Sequence, residues 1–551
     1  MSGSLQAVWS AVTSHLPVLP VLLPAATAIV LLLMGDDGGN SHHHAAMQRN
    51  RRLALGSTLL GALVAAALLV QADTGVLQVY RLGDWPAPFG IVLVVDRLSA
   101  LMLVLTSAVA LPVLVYASGG WDSHGRYFHA LLQFQLMGLH GAFITGDLFN
   151  LFVFFEVLLI ASYVLMMHGL GPQRLRVGLQ YVVLNLLASA LFLIGVALVY
   201  ALTGTLNLAD LALRVPLVRG PDAAVLQAAA MLLLVVFGFK AALAPLSLWL
   251  PATYATASPP VAALFAIMTK VGVYAIIRVH GVVFGDGAGD SERVVEPVLL
   301  PLALLTSVIG VLGALAAHSL SRLAAWLTVA SVGTILSAVA LFGTAAWAAA
   351  FYYMAHSTLV MAGLFLLAEL VGAQRGDAAD RLTPAVPVAQ PTLLGLLLLL
   401  GAASGAGLPP LPGFIGKVMV LQAASGHAWA PWVWTVLLAM GFVTLLGLAR
   451  AGSILFWQVR HDADPHPAGT AGASPRLLGA TLALMLGSVM LSVMAQPVAR
   501  YAQAAAEQLA DRAAYAQAVL GEQGGAQART TRPYTGALEP AKPASAPGGR
   551  P

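Results

Sequence analysis

Cysteine is absent from this 551-residue chain. That excludes disulfides, thiolate-held iron–sulfur clusters and c-type haem attachment in one step. Any redox centre would need another scaffold, with bis-histidine haem the simplest left. Charge is also scarce: Asp, Glu, Lys and Arg make up only 9% of the residues, against roughly a quarter in a soluble domain. A surface so poor in charge must face lipid, so a soluble globular enzyme is excluded. The apolar runs are about 20 residues long and do not alternate, which excludes a β-barrel. No basic n-region or clean cleavage site marks the first run, so no cleavable signal is expected. No phosphate-binding Gly-rich fingerprint, nucleophile–base set or His-x-x-x-His helix with a carboxylate can be read. No cofactor, no metal site and no nucleic-acid partner are therefore expected.

What is present is lysine in the wrong place. There are four lysines, and three sit inside membrane-length apolar stretches: Lys240 in MLLLVVFGFKAALAPL, Lys270 in VAALFAIMTKVGVYAII and Lys417 in LPPLPGFIGKVMVLQAA. Only Lys542, in the tail, is easily solvated. Glu156 is the matching acid, in DLFNLFVFFEVLLIASYVLM. A charge at the bilayer centre costs at least ~2.5–3.5 kcal/mol, so such groups mark ion pathways or proton relays by default. The pattern implies an ion-conducting membrane protein.

The apolar runs predict an all-α polytopic protein of about 14 transmembrane helices, centred near residues 25, 61, 106, 136, 158, 188, 237, 270, 306, 332, 359, 402–418, 441 and 486. The seventh carries Pro245 and Pro251. The twelfth carries Gly405, Gly407, Pro409, Pro410, Pro412 and Gly413. Proline removes a donor and clashes with the preceding turn, so both should be broken helices. Each break lies within a few residues of a lysine, and paired breaks point to inverted repeats, here segments 4–8 and 9–13. Twelve arginines fall in loops after spans 1, 3, 5, 9, 11 and 13, against six on the opposite face. The richer face is expected to be cytoplasmic; an even count then puts both termini outside, in conflict with a basic tail. The expected organisation is two N-terminal helices and a loop (1–90), a core with the repeats (91–460), a loop and last helix (461–496), an amphipathic helix (497–521) and a disordered tail (522–551).

Each buried group has two readings. Glu156 and Lys240, paired across helices, would hold each other charged and couple proton loading to lysine affinity; the alternative is a static pair that fixes helix register. Lys270 has no acid in its own span and suits a proton carrier, against snorkelling to a headgroup. Lys417 follows the second break, where it could instead cap freed carbonyls. His356, mid-span in FYYMAHSTLVMAGLFLL, can both accept and donate, or can be a satisfied core histidine. His140 and His168 lie near span ends, where interfacial packing explains them. The run His42, His43, His44 fits a solvated loop, and Gly310 and Gly313 are helix-packing residues.

DLFNLFVFFEVLLIASYVLM, GFKAALAPLSLWLPATYATASPPVAALFAIMTKVGVYAIIR and GLPPLPGFIGK resemble the antiporter-like subunits shared by respiratory complex I and multisubunit cation/proton antiporters. Within that group, GDLFNLFVFFEV is most similar to the D subunits of Mrp-type monovalent cation/proton antiporters. The resemblance covers roughly residues 90–460. It implies that Glu156 is the glutamate of the fifth span and Lys240 its partner in the broken seventh. By the same resemblance Lys270 is the central relay lysine, His356 the histidine of the eleventh span and Lys417 the terminal lysine. It also implies function beside other membrane subunits in a bacterial inner (plasma) membrane, exchanging protons for Na⁺ or K⁺. Three positions depart from the family: Met361 stands where some members have lysine, Ser321-Arg322 replaces a Lys-Arg pair, and Leu327 or Ser331 replaces a histidine. The alternative is a proton-pumping subunit of a complex I-like oxidoreductase or membrane-bound hydrogenase. A non-conducting scaffold is a third reading, and three mid-span lysines argue against it.

Overall fold

A computed structural model describes residues 14–35, 43–85, 90–459 and 472–527. His42, Arg460, Lys542 and residues 528–551 of the expected tail lie outside them. The chain is helical almost throughout, in the order α1 (Leu19–Met34), α2 (His43–Asp73), α3 (Arg97–Ala117), α4 (Phe128–Ile144), α5 (Leu148–Met166), α6 (Pro172–Thr203), the short α7 (Leu208–Arg214), α8 (Pro221–Ala241), α9 (Trp249–Thr256), α10 (Pro259–Ile276), α11 (Glu296–Leu315), α12 (Leu320–Val339), α13 (Thr344–Gly372), α14 (Pro391–Ala406), α15 (Pro412–Ala424), α16 (Ala430–Phe456), α17 (Pro475–Val493), α18 (Ala495–Ala510) and α19 (Arg512–Gln527). A two-stranded antiparallel ribbon, β1 (Gln78–Arg81) with β2 (Val92–Val95), is the only sheet among the described residues.

Among the described residues, twelve helices are long and apolar enough to cross a membrane. Two segments fall short of that measure: α4, of 17 residues, and the interrupted pair α14–α15. With both included the expected fourteen are present. Helix starts follow local chemistry. Asp96 and Ser99 form a reciprocal capping box at α3, Asp147 caps α5, and proline occupies the first turn of α6, α8 and α10, where its missing N–H is not needed.

The broken helices stand where the prolines and glycines predicted. The first break separates α8 from α9, and the second separates α14 from α15. Each is the fourth of five spans in its repeat. Five is odd, so the second repeat runs across the membrane in the opposite sense to the first. Hydrogen bonds between loops stay on one side. Arg174 Nε donates to the Thr256 carbonyl at 3.0 Å and Arg476 Nη1 to that of Ser118 at 2.9 Å, both on the arginine-rich face. On the other face the chain ends docked: Arg81 Nη2 donates to the Val519 carbonyl at 2.9 Å, and Tyr501 to that of Arg97 at 2.9 Å. His15 meets the Tyr80 hydroxyl there at 3.2 Å. Both described ends thus lie on the arginine-poor face, as an even span count requires.

Candidate functional site

The first break needs partners for its freed backbone groups, because no water reaches them inside a bilayer. Ala242 turns the chain with a φ of 63°. The Phe239 carbonyl then accepts from Trp249 Nε1 at 3.1 Å, and the Ala244 N–H donates to Thr306 Oγ1 at 2.8 Å. A threonine from α11 therefore pins the break. Lys240 lies just before it, 6% exposed.

Lys240 Nζ donates to Asn185 Oδ1 at 3.2 Å and to Ser189 Oγ at 3.5 Å. Ser189 Oγ in turn donates to Glu156 Oε1 through a short hydrogen bond. Among the described residues no direct Glu156–Lys240 ion pair is formed; a serine hydroxyl stands between the two. The ammonium also lies 5.9 Å from the Phe155 ring centroid. Asn185 and Ser189, one turn apart on α6, are functional candidates that the sequence reading passed over. Their signal was two polar residues four apart in the otherwise apolar run YVVLNLLASALF.

Lys270 lies in α10, whose apolar window is buried along its whole length, and is itself 0% exposed. Its Nζ meets no acid among the described residues and donates to Thr269 Oγ1 at 3.3 Å and Ser331 Oγ at 3.5 Å. Gly272 lets α10 approach α8 there: a Cβ would lie 2.5 Å from the Ala241 nitrogen. Lys417 Nζ donates to the Ala406 carbonyl at 2.7 Å, the last carbonyl of α14 before the break. Capping of a freed carbonyl, one of the two readings of this lysine, is thus what it does in this conformation. His356, 1% exposed, meets Ser488 Oγ at 3.3 Å and Ser404 Oγ at 3.5 Å through Nδ1.

A cavity of about 30 Å³ joins these last groups, lined among others by Ser331, Thr334, Tyr353, His356, Ser357 and Lys417. It has room for about two waters. Ser331, which accepts from Lys270 and gives its own hydrogen to the Thr328 carbonyl at 2.7 Å, stands between the lysine and this cavity, which His356 and Lys417 also line. Met361 and Leu327, two of the departures, also line it. Lys240 and Glu156 belong to a separate cluster and do not line this cavity.

Residues 145–447 match the family described as NADH:quinone oxidoreductase/Mrp antiporter, transmembrane. A probable K(+)/H(+) antiporter D subunit of Rhizobium meliloti is 40% identical, covering 92% of this chain and 97% of that one. A Na(+)/H(+) antiporter D subunit of Alkalihalophilus pseudofirmus is 36% identical, over 86% and 94% respectively. Among solved structures, a chain of the Mrp complex from a Dietzia species superposes with a TM-score of 0.78 at 29% identity, covering 92% and 99%. The named relatives are transporters, not enzymes. The chain belongs to the family of membrane subunits shared by NADH:quinone oxidoreductases and Mrp antiporters, and its near full-length relatives are antiporter D subunits.

Proposed function

We propose that this chain is the proton-translocating D subunit of an Mrp-type antiporter in a bacterial plasma membrane, exchanging protons for Na⁺ or K⁺ beside other membrane subunits. The observation that carries it is three lysines at membrane depth, Lys240 and Lys270 buried and Lys417 half-buried, each held by hydroxyls or a carbonyl and none neutralised by a direct acid among the described residues. Such groups are costly to insert, and for Lys240 and Lys270 leucine would fill the space at lower cost.

In this reading a proton moves by exchange along hydrogen bonds. Lys240, as ammonium, gives a proton to Ser189 Oγ while Ser189 gives its own to Glu156. The result is neutral lysine and neutral carboxylic acid, with no atom gained or lost. Lys270 passes its proton to Ser331 Oγ while Ser331, its hydroxyl turned from the Thr328 carbonyl, gives its own to water in the cavity, and His356 and Lys417 receive it. Lysine suits both steps because its affinity for the proton moves with burial, whereas arginine stays charged.

Partner subunits follow from Glu156. Its side chain is only half-buried, on a helix whose neighbouring outward residues Val153 and Ile160 are exposed. A carboxylate at membrane depth against lipid is costly, so another protein surface is needed to cover that wall.

The test is ΔpH across inverted vesicles holding the whole complex, with Na⁺ or K⁺ added. Collapse of ΔpH on adding one cation, lost in Lys240→Ala with the complex still assembled, supports the reading and identifies the ion. Undiminished exchange in that variant would sink the relay. A ΔpH that instead follows oxidation of an electron donor and ignores both cations would move the chain to a complex I-like assembly.

A further inference from the structure

One buried titratable group takes no part in the lysine relay. His280 lies ten residues past Lys270, in the π-helical turn Ile277–Val283 that continues α10 toward the arginine-poor face. Such turns are rare and frequently stand at functional sites. The side chain is 1% exposed, and neither Nδ1 nor Nε2 has a hydrogen-bond partner among the described residues. A neutral imidazole holds one N–H and one lone pair. Both go unmet here, a cost that leucine in the same place would not carry.

A layer of three phenyl rings joins His280 to the Lys240–Ser189–Glu156 cluster. Each ring lies on the arginine-poor side of its polar neighbour: Phe237 one turn before Lys240 on α8, Phe192 one turn past Ser189 on α6, and Phe155 just before Glu156 on α5. All three are buried. Ring centroids are 5.1 Å apart for Phe192–Phe237, 5.9 Å for Phe155–Phe192 and 6.4 Å for Phe155–Phe237. The Lys240 ammonium meets the layer at Phe155, 5.9 Å from its centroid. His280 meets it at Phe237, with centroids 6.4 Å apart. Because both nitrogens of His280 are unbonded, no hydrogen bond reaches it across the rings among the described residues.

We propose that His280 carries protons between the Lys240 cluster and the arginine-poor face, and that the phenyl layer interrupts this path at rest. The inference rests on the reading of the chain as a proton-translocating subunit, and it gives the relay an end on that face. Apolar constrictions gate by excluding water. Water admitted when Phe237 turns aside brings a proton to the imidazole lone pair. The imidazolium then releases the proton of its other nitrogen, and the ring is neutral again with no atom gained or lost. The turn packs against α7, where Asp210 holds Arg214 Nε through Oδ1 at 2.9 Å and keeps Oδ2 bare as the next acceptor. Arg278, two residues before His280, does not serve. It is tied to Asp96 and to the Tyr274 hydroxyl, and arginine stays charged.

The whole complex tests it, with exchange read in inverted vesicles and melting temperature on the solubilised preparation. His280→Leu should lower the cation-driven collapse of ΔpH at least tenfold while the melting temperature stays equal or rises, because two unmet nitrogens leave the core. A histidine kept for packing would give the reverse, a lower melting temperature with exchange intact. If His280→Leu fails to assemble, His280→Gln decides, since an amide fills the place but does not titrate. Phe237→Ala should let ΔpH decay in choline chloride with no Na⁺ or K⁺ added, and adding His280→Leu should stop that leak. Wild-type exchange in the histidine variant, a Phe237→Ala variant that holds its ΔpH, or a leak that persists in the double variant overturns the proposal. Lys240→Ala is measured alongside. Exchange lost there but kept in His280→Leu removes this carrier and leaves the relay standing, whereas exchange kept in Lys240→Ala removes the relay itself.

Discussion

Ser189 is the residue on which the proposed exchange between Lys240 and Glu156 turns. Its one hydroxyl accepts from the lysine and donates to the glutamate, so removing it breaks a chain that neither charged partner spans alone. Ser189→Ala should lower exchange at least tenfold, while Ser189→Thr, which restores the hydroxyl, should recover most of it. Equal activity in the alanine variant would show that the two groups communicate some other way, by water or by direct contact. Two carboxylates outside the spans give opposite pH signatures. Burial alone would raise Asp122, but its hydrogen bond with Arg51, and then that with His129, hold it at about 2. A depressed carboxylate stabilises the fold above its ordinary value of 3.8 and loses that contribution as pH falls toward 2. Asp122→Asn should therefore cost on the order of 2 kcal/mol at pH 7, read as a lower melting temperature of the solubilised complex. Asp147 is pushed up to about 6 by burial, against backbone hydrogen bonds from Asn150 and Phe149. Here the contribution is complete below 3.8 and is lost as pH rises through 6. Asp147→Asn keeps the cap on α5 and should raise the melting temperature at pH 8 but not at pH 4.

At the scale of elements, the legible features were those written in backbone chemistry. Proline and glycine announced both broken helices, and long apolar runs announced the spans, because lipid leaves the chain no other way to satisfy its N–H and C=O groups. The five candidate site residues stood out because an ionisable group in such a run is costly to insert, although each also had a purely structural reading. What escaped was the hydroxyl and amide set that meets them, Asn185, Ser189, Ser404 and Ser488, and the bond from Lys270 to Ser331, a serine noted only as standing in place of a histidine. A serine in a membrane helix commonly bonds its own preceding carbonyl, so its type says nothing until a neighbour is known. The contact between the first break and α11 escaped likewise. Thr306 bonds its own helix at Leu302 and accepts the Ala244 N–H as well. Thr306→Val keeps the shape and strands that donor, at a cost of about 1–3 kcal/mol. Exchange should fall with stability, because the break positions Lys240. A valine variant as stable and active as the wild type would mean the break is held by its own turn.

At the scale of the whole molecule, two polar systems are built into one helical body and neither is closed by the chain itself. Each has a buried end and an outward end: Lys270 and His356 are buried while Lys417 is half-buried, and Lys240 is buried while Glu156 is half-buried. The outward end at Glu156 gives a sharper expectation than the general need for partners. Expressed alone and inserted in vesicles, the chain should fold, because α10 and α13 are buried by the chain's own helices. It should nevertheless show no cation-dependent collapse of ΔpH, since the Glu156 wall then faces lipid with nothing to cover its charge. A Glu156→Gln variant separates this from simple misfolding. In the lone chain the substitution should leave the melting temperature unchanged or raise it, because it removes a charge with no cover. In the assembled complex the same substitution should abolish exchange with the subunits still associated. Exchange by the lone wild-type chain would show that the wall at Glu156 needs no partner and that the path is complete within one subunit.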